Sequence, residues 1–354
     1  MKFALENGRI FPEARNLVPG TGGAERQQWL LACGLVRHGH EVTIYGLGDA
    51  TAADIVESGV RFRWIGPTSP WLAWPRILAS EQPDFWYSRG ADLYLGVLTT
   101  MARLAGARVI FGLANDRDCD PPHALARHPR FWPLYDIGLS GAHRIITQHP
   151  GQRDALPEPL RGKTVWVPSL LGPVAPESTR GDHVAWVGLF REPKRPHLLA
   201  ELARRLPEIQ FVVCGAPVRH RTSPGYAAGI VDLLRACPNI DYRGSVPQDE
   251  AQRVIASAQM LLSTSILEGF PNTFLQAWGA GVPVVSMDFD PAGAIQRSRG
   301  GVVASGLEET EAAIRRLVGN SDERNGLAAA GLRYVREVHD DDAVVRRFLA
   351  AIDS

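Results

Sequence analysis

Cysteine is scarce and scattered in this chain. Cys33, Cys119, Cys214 and Cys237 lie far apart with no CxxC pair, which argues for reduced thiols in or near a core rather than a disulfide framework or a zinc site. Lysine is scarcer still: of 38 basic residues only Lys2, Lys163 and Lys194 are lysine. No charge of one sign dominates, since 38 acidic side chains balance the 38 basic ones, so bulk binding of nucleic acid has no electrostatic support. No window approaches the roughly 20 apolar residues that span a bilayer. The start, Met1-Lys2-Phe3-Ala4-Leu5-Glu6-Asn7, lacks the apolar stretch of a secretory signal. A cytoplasmic protein is expected, with peripheral contact at the inner face of a membrane left open. No GxGxxG follows the first predicted strand of either half, which sets a nicotinamide-dependent dehydrogenase aside.

What is present is ample core. Apolar residues make up 45% and charged residues 21% of 354, a soluble composition long enough for two or three domains. Both halves alternate apolar strands with helical patterns, the mark of parallel α/β layers. Strands are predicted at 2–6, 42–45, 61–65, 85–88, 109–113, 144–147 and 165–167, with a helix over 24–38 after a long connection, 7–22. Residues 168–182, rich in proline and glycine, read as a linker. A second series follows, with strands at 183–187, 211–214, 240–242, 260–263 and 283–286 and then three helices. Two doubly wound domains facing a central cleft are expected.

Four segments carry chemistry. The first, Glu268-Gly269-Phe270-Pro271-Asn272-Thr273-Phe274-Leu275-Gln276, leaves the carboxyl end of a predicted parallel strand, where open α/β sheets bind ligands. It then starts a helix whose free N–H groups suit a pyrophosphate. Gly269 allows close backbone approach, Pro271 is tolerated in a first turn, and Asn272 and Gln276 share a helix face. Residue by residue, a capped turn with a solvated glutamate explains it as well; the whole string is more specific. The second, Val187-Gly188-Leu189-Phe190-Arg191-Glu192-Pro193-Lys194-Arg195-Pro196, joins the first strand and helix of the second half, and its alternative is an ordinary basic loop. The third, Gly20-Thr21-Gly22-Gly23-Ala24-Glu25-Arg26, puts paired glycines before a helix, a weak signal alone. The fourth, Asn115-Asp116-Arg117-Asp118-Cys119-Asp120, alternates acids at a strand end. It invites a metal reading, but no calcium-loop pattern follows. Asp116 and Asp118 read as acceptor-side residues, with a plain polar loop as the alternative.

The first segment, continued by Ala277-Trp278-Gly279-Ala280-Gly281-Val282-Pro283-Val284-Val285, resembles the donor motif of the retaining glycosyltransferases of family 4, with the GT-B fold. The resemblance implies two Rossmann-like domains, 1–170 on the acceptor side and 171–335 for a nucleotide sugar, with a helix over 336–354 crossing back to the first. In that family two glutamates eight positions apart bracket the donor, the first on the sugar and the second on the ribose. Glu268 matches the first; Gln276 stands at the second and loses the strength of a charged acceptor. A basic pair in the second segment clamps the diphosphate there. Lys194 matches its lysine, Leu189 stands where an arginine is usual, and Arg191 is the replacement. Gly22 and Gly23 match a loop that closes over the donor phosphate, Gly188 lies in the phosphate loop, and Val246, in Gly244-Ser245-Val246-Pro247, packs against the base. Gly269, Phe270, Pro271, Asn272 and Thr273 complete the donor set. Arg9, Arg15 and Asn16 are further acceptor-side candidates; His123 and His128 match no motif.

The function implied is transfer of a sugar from a UDP- or GDP-linked donor to a glycan, lipid-linked or small-molecule acceptor, with retained configuration and no cofactor or metal. A GT-B nucleotide-sugar epimerase is the alternative enzyme, which donor alone would satisfy. A nucleotide-sugar-binding protein without activity is the alternative from another class, with Leu189 and Gln276 as marks of decay.

Overall fold

The computed structural model describes the chain except residues 8, 18–21, 48–52, 66–69, 126–127, 176–180, 218–223 and 354. By contacts it divides into two units. One comprises Met1–Arg15, Gly23–Leu170 and Asp341–Ser354; the other comprises Leu171–Asp340 with Asn16, Leu17 and Gly22.

The first unit holds strands β1 (Lys2–Glu6), β2 (Glu41–Leu47), β3 (Ile55–Glu57), β4 (Val60–Ile65), β5 (Phe85–Arg89), β6 (Arg108–Gly112), β7 (Arg144–Thr147) and β8 (Thr164–Trp166). They lie in the order β3-β4-β2-β1-β5-β6-β7-β8, parallel except for β3. Phe3, Ala4 and Leu5 are all buried, because a parallel strand covered by helices on both faces needs apolar side chains on both. Of the hairpin β3–β4 the sequence reading contains only β4, as 61–65. Its strands are joined by Ser58 and Gly59, with φ of 50° and 80°, the geometry of a tight hairpin turn. The connection 7–22 likewise contains an unforeseen helix, Ile10–Ala14, anchored by fully buried Ile10.

The core of this unit joins Phe3, Leu5, Leu31, Leu35, Ile44, Phe62 and Tyr87 to Val344, Val345, Phe348 and Ile352 of the last helix, Asp341–Asp353. Phe348 meets Tyr87 edge-on at 5.9 Å. Gly34 admits the helix, since a Cβ there would lie 2.5 Å from Val345 Cγ2. At the helix end, Arg144 Nε donates to Ala351 O at 3.0 Å and Arg108 to Ile352 O at 3.3 Å, cations where the helix dipole is negative. Phe348→Ala should therefore cost about 3–5 kcal/mol, the range for truncating a buried phenylalanine. Urea unfolding would read it, and a change under about 1 kcal/mol would mean the helix adds little to this core.

The second unit holds β9 (His183–Val187), β10 (Gln210–Cys214), β11 (Ile240–Gly244), β12 (Met260–Ser263), β13 (Val284–Met287) and β14 (Gly301–Ala304). All are parallel, in the order β11-β10-β9-β12-β13-β14. Strand order therefore reverses between β9 and β12, and the crevice at their carboxyl ends is where such sheets take ligands. The sequence reading lacks β14 and runs from β13 straight into three helices. β14 is only four residues long and opens on Gly301, where a Cβ would lie 2.0 Å from Val284 O. Among the described residues no helix is long and apolar enough to cross a membrane.

Candidate active site

Two loops leave the β9/β12 crevice and are laced together. After β9 the Gly188 amide donates to Cys214 O at 3.0 Å and Phe190 N to Ala216 O at 2.9 Å. Gly215, beside them, cannot be anything larger: a Cβ would lie 2.0 Å from Gly188 O. The chain then makes a short turn, Glu192–Lys194, closed by Arg195 in the left-handed region at φ 46°. From there Arg195 Nε donates to Thr264 O at 2.7 Å, another of its nitrogens to Met287 O at 3.2 Å, and a third pairs with Asp288 at 2.9 Å. Fully buried Thr264 donates its hydroxyl to Lys194 O at 2.6 Å and accepts from Trp186 Nε1 at 3.1 Å. Ile266 N donates to Pro193 O at 2.9 Å.

This lacing aims Lys194 at the loop after β12. Lys194 Nζ and Glu268 Oε1 form an ion pair, with each side chain only 15% exposed. No other donor reaches that oxygen among the described residues. Sequence reasoning found the two residues separately, one for phosphate and one for sugar; the fold places them in contact. Two charges so far from water each need the other, or a ligand in its place. Arg191 precedes the turn, and its buried Nε has no hydrogen-bond partner among the described residues. The lacing residue Arg195 was passed over, and its only signal in the sequence is its place next to Lys194.

The helix after the second loop runs Asn272–Gly279, with Pro271 at its N-cap. Proline brings no capping side chain, so no side-chain cap closes the first turn, although Phe274 N turns back to Pro271 O at 3.1 Å. Gln276 is 5% exposed. Phe270 is buried and packs on Trp278 and on His339, the latter at 4.9 Å. Gly269 is buried without left-handed backbone, and Thr273 is half-buried in the first turn of the helix. Val246 is half-buried against the cluster of Val212, Cys214 and Val254.

In the first unit the acids after β6 part company. Asp118, 2% exposed, accepts from the amides of Ala114 at 2.7 Å and Asn115 at 3.1 Å and from Asn115 Nδ2 at 2.9 Å. Burial raises its carboxyl above the usual range against the pull of these bonds. Its oxygens hold their own loop together and present little to a ligand. Asp116 meets His149 Nε2 at 2.8 Å and Gln152 Nε2 at 3.0 Å. Burial raises its carboxyl too, but the bonds from His149 and Gln152 outweigh that and leave it below the usual range. The pairing with His149 is unforeseen in the sequence, where the two lie on either side of β7. Gly23 opens the helix Gly23–Arg37, and Gly22 precedes it half-buried; Gly20 and Thr21 lie outside the described residues. Arg15 pairs with Glu57 at 2.9 Å, Asn16 bonds Asp249 at 2.6 Å, and Arg9 is exposed. His128 is exposed, and the side chain of His123 lies outside the described residues. Among the described residues no three His, Cys, Asp or Glu side chains converge to hold a metal ion.

Comparison with known proteins bears on this arrangement. The family model for glycosyl transferases group 1 matches residues 181–320, and that for the glycosyl transferase 4-like domain matches residues 22–168. No curated protein matches by sequence. Solved structures similar in fold include HepE of Anabaena in complex with UDP and glucose, at 12% identity and a TM-score of 0.78, covering 100% of this chain and 99% of that one. Sucrose-phosphate synthase from Thermosynechococcus elongatus is 14% identical with a TM-score of 0.76, over 99% of this chain and 98% of its own. A glycosyltransferase from Rickettsia africae is 15% identical with a TM-score of 0.73, over 99% and 97%. At such identities these likenesses establish the fold.

Proposed function

The chain belongs to the glycosyl transferases group 1 family, with the GT-B fold, and from that premise we propose that it transfers a sugar from a UDP- or GDP-linked donor with retention of configuration. The observation that carries this reading is the Lys194–Glu268 ion pair at the β9/β12 crevice. A nucleoside diphosphate sugar brings what each partner lacks: phosphate oxygens for Lys194 and sugar hydroxyls for Glu268. The likeness to HepE, whose structure holds UDP, favours uridine as the base.

In the reaction the bond from the anomeric carbon to the phosphate oxygen breaks, and its electron pair goes to the diphosphate. Lys194, Arg191 and the helix start at Asn272 stabilise that growing charge, the part of catalysis in which preorganised donors contribute most. Glu268 orients the sugar through its hydroxyls. The acceptor hydroxyl attacks the face being vacated, and its proton passes to the departing phosphate oxygen, so no side-chain nucleophile is needed. Gln276 meets the ribose with a neutral amide. Asp116, held by His149 and Gln152, lies on the acceptor side. The acceptor is a glycan, a lipid-linked sugar or a small molecule, and no step calls for a metal.

A thermal-shift series with UDP, GDP and their sugars tests the donor. A ligand at 100 times its dissociation constant stabilises by about 2.7 kcal/mol, so one nucleoside diphosphate should raise the melting temperature measurably. Absence of any shift at millimolar nucleotide would overturn the reading. In the same series Gln276→Glu should tighten nucleotide binding, because a charged acceptor bonds a hydroxyl about twice as strongly as a neutral one. An unchanged affinity would take Gln276 off the ribose.

A further inference from the structure

The first sheet has its own point of reversal, between β1 and β5, and β5 ends there on Arg89. One nitrogen of the Arg89 guanidinium donates to Tyr87 Oη at 3.2 Å. With the Gln148 amide turned to satisfy its surroundings, a second donates to Gln148 Oε1 at 2.9 Å, while Gln148 Nε2 donates to Ala114 O at 3.2 Å. The third, Nε, is buried with no partner among the described residues. Both partners are neutral, and among the described residues no carboxylate pairs with Arg89.

Strand alternation shows how neutral this place is. Leu5, Tyr87, Ile110 and Ile146 share one core cluster, so two residues further on Asn7, Arg89, Gly112 and Gln148 share the same face at the carboxyl edge. Three of these four are uncharged. Gly112 keeps the floor flat, since a Cβ there would lie 2.5 Å from Tyr87 Oη. Of the nearby acids, Asp116 is engaged with His149 and Gln152, Asp118 with its own loop, and Asp92 with the amide of Tyr94 at 2.7 Å, while Glu6, which ends β1, alternates to the opposite face of the sheet. On the same face the helix Gly23–Arg37 packs through Leu31 and Leu35, and Gln28 near its start accepts from Asn7 Nδ2 at 2.7 Å. The positive end of a 15-residue helix therefore adds to the field of Arg89.

A half-buried guanidinium held only by neutral groups, beside a helix start, is a site made for an anion. We infer that Arg89 is the centre of an acceptor subsite for an oxyanion, a phosphate or carboxylate group carried by the molecule that receives the sugar. The inference rests on the transferase reading for its word acceptor, but the test of the anion site itself does not rest on activity.

Inorganic phosphate is the probe, titrated calorimetrically into the full chain with and without saturating UDP. Wild-type protein should bind phosphate in both conditions. Arg89→Gln should weaken that binding roughly tenfold or more, the worth of hydrogen bonds to a charged group, and Arg89→Lys should fall between. Equal phosphate affinity in Arg89→Gln overturns the subsite, and so does full displacement of phosphate by UDP, which would assign the anion to the donor. Should Arg89→Gln fail to fold, Arg89→Lys and the UDP competition in wild-type protein decide the same question. A second arm compares a sugar phosphate, a sugar acid and the parent sugar as acceptors. Wild-type preference for one charged form, lost in Arg89→Lys or Arg89→Gln, identifies the oxyanion; equal use of all three overturns the acceptor role. If UDP fails to bind while phosphate binding depends on Arg89, the donor reading fails and the anion site stands.

Discussion

Lys194→Ala is expected to lower turnover by about two to three orders of magnitude, the loss seen when one preorganised donor to a developing oxyanion is removed. The substitution leaves the turn itself in place, because the backbone carbonyl of residue 194 is fixed by Thr264 and the next residue is fixed by three bonds from its own guanidinium. The variant also leaves Glu268 without its one partner, and a largely buried lone charge destabilises the fold. A Lys194→Ala/Glu268→Ala double variant separates the two effects, since it should recover stability without recovering turnover. Steady-state rates and urea unfolding on both proteins make the measurement. Turnover within about threefold of wild type in the folded single variant would remove Lys194 from the chemistry.

Glu268→Gln should behave differently. It keeps the shape and removes the charge, so kcat/KM should fall by about a hundredfold as sugar orientation is lost. Affinity for UDP itself should hold or rise, because Lys194 no longer has an internal competitor for the phosphate. Calorimetry with UDP beside kinetics with the sugar donor reads both numbers. Loss of UDP affinity equal to the loss in kcat/KM would mean that Glu268 supports the phosphate site rather than the sugar.

The donor loops were legible because their information is local. Glu268 through Gln276 is one continuous string, and a lysine among so many arginines marks itself. Their contact was not legible, since it depends on Thr264 and Arg195 tying together two loops distant along the chain. Asp116 and Asp118 show the limit most sharply: two acids, two positions apart, carry the same sequence pattern. One turns inward to hold amide groups of its own loop and the other turns to His149. Only the path of the turn decides between them. Strands β3 and β14 escaped for a simpler reason, as segments of three or four residues offer too little alternation to read.

The last helix, whose Val344, Val345, Phe348 and Ile352 complete the first unit's core, has a consequence for how the protein is made. Translation delivers Met1–Arg15 first, yet that unit lacks part of its interior until Asp341–Ser354 has left the ribosome. Nearly all of the second unit, Leu171–Asp340, emerges before then. Order of synthesis and order of completion are therefore opposed. The half begun first is the half finished last, and its unsealed apolar face must be kept from aggregation for the whole time its neighbour is being made.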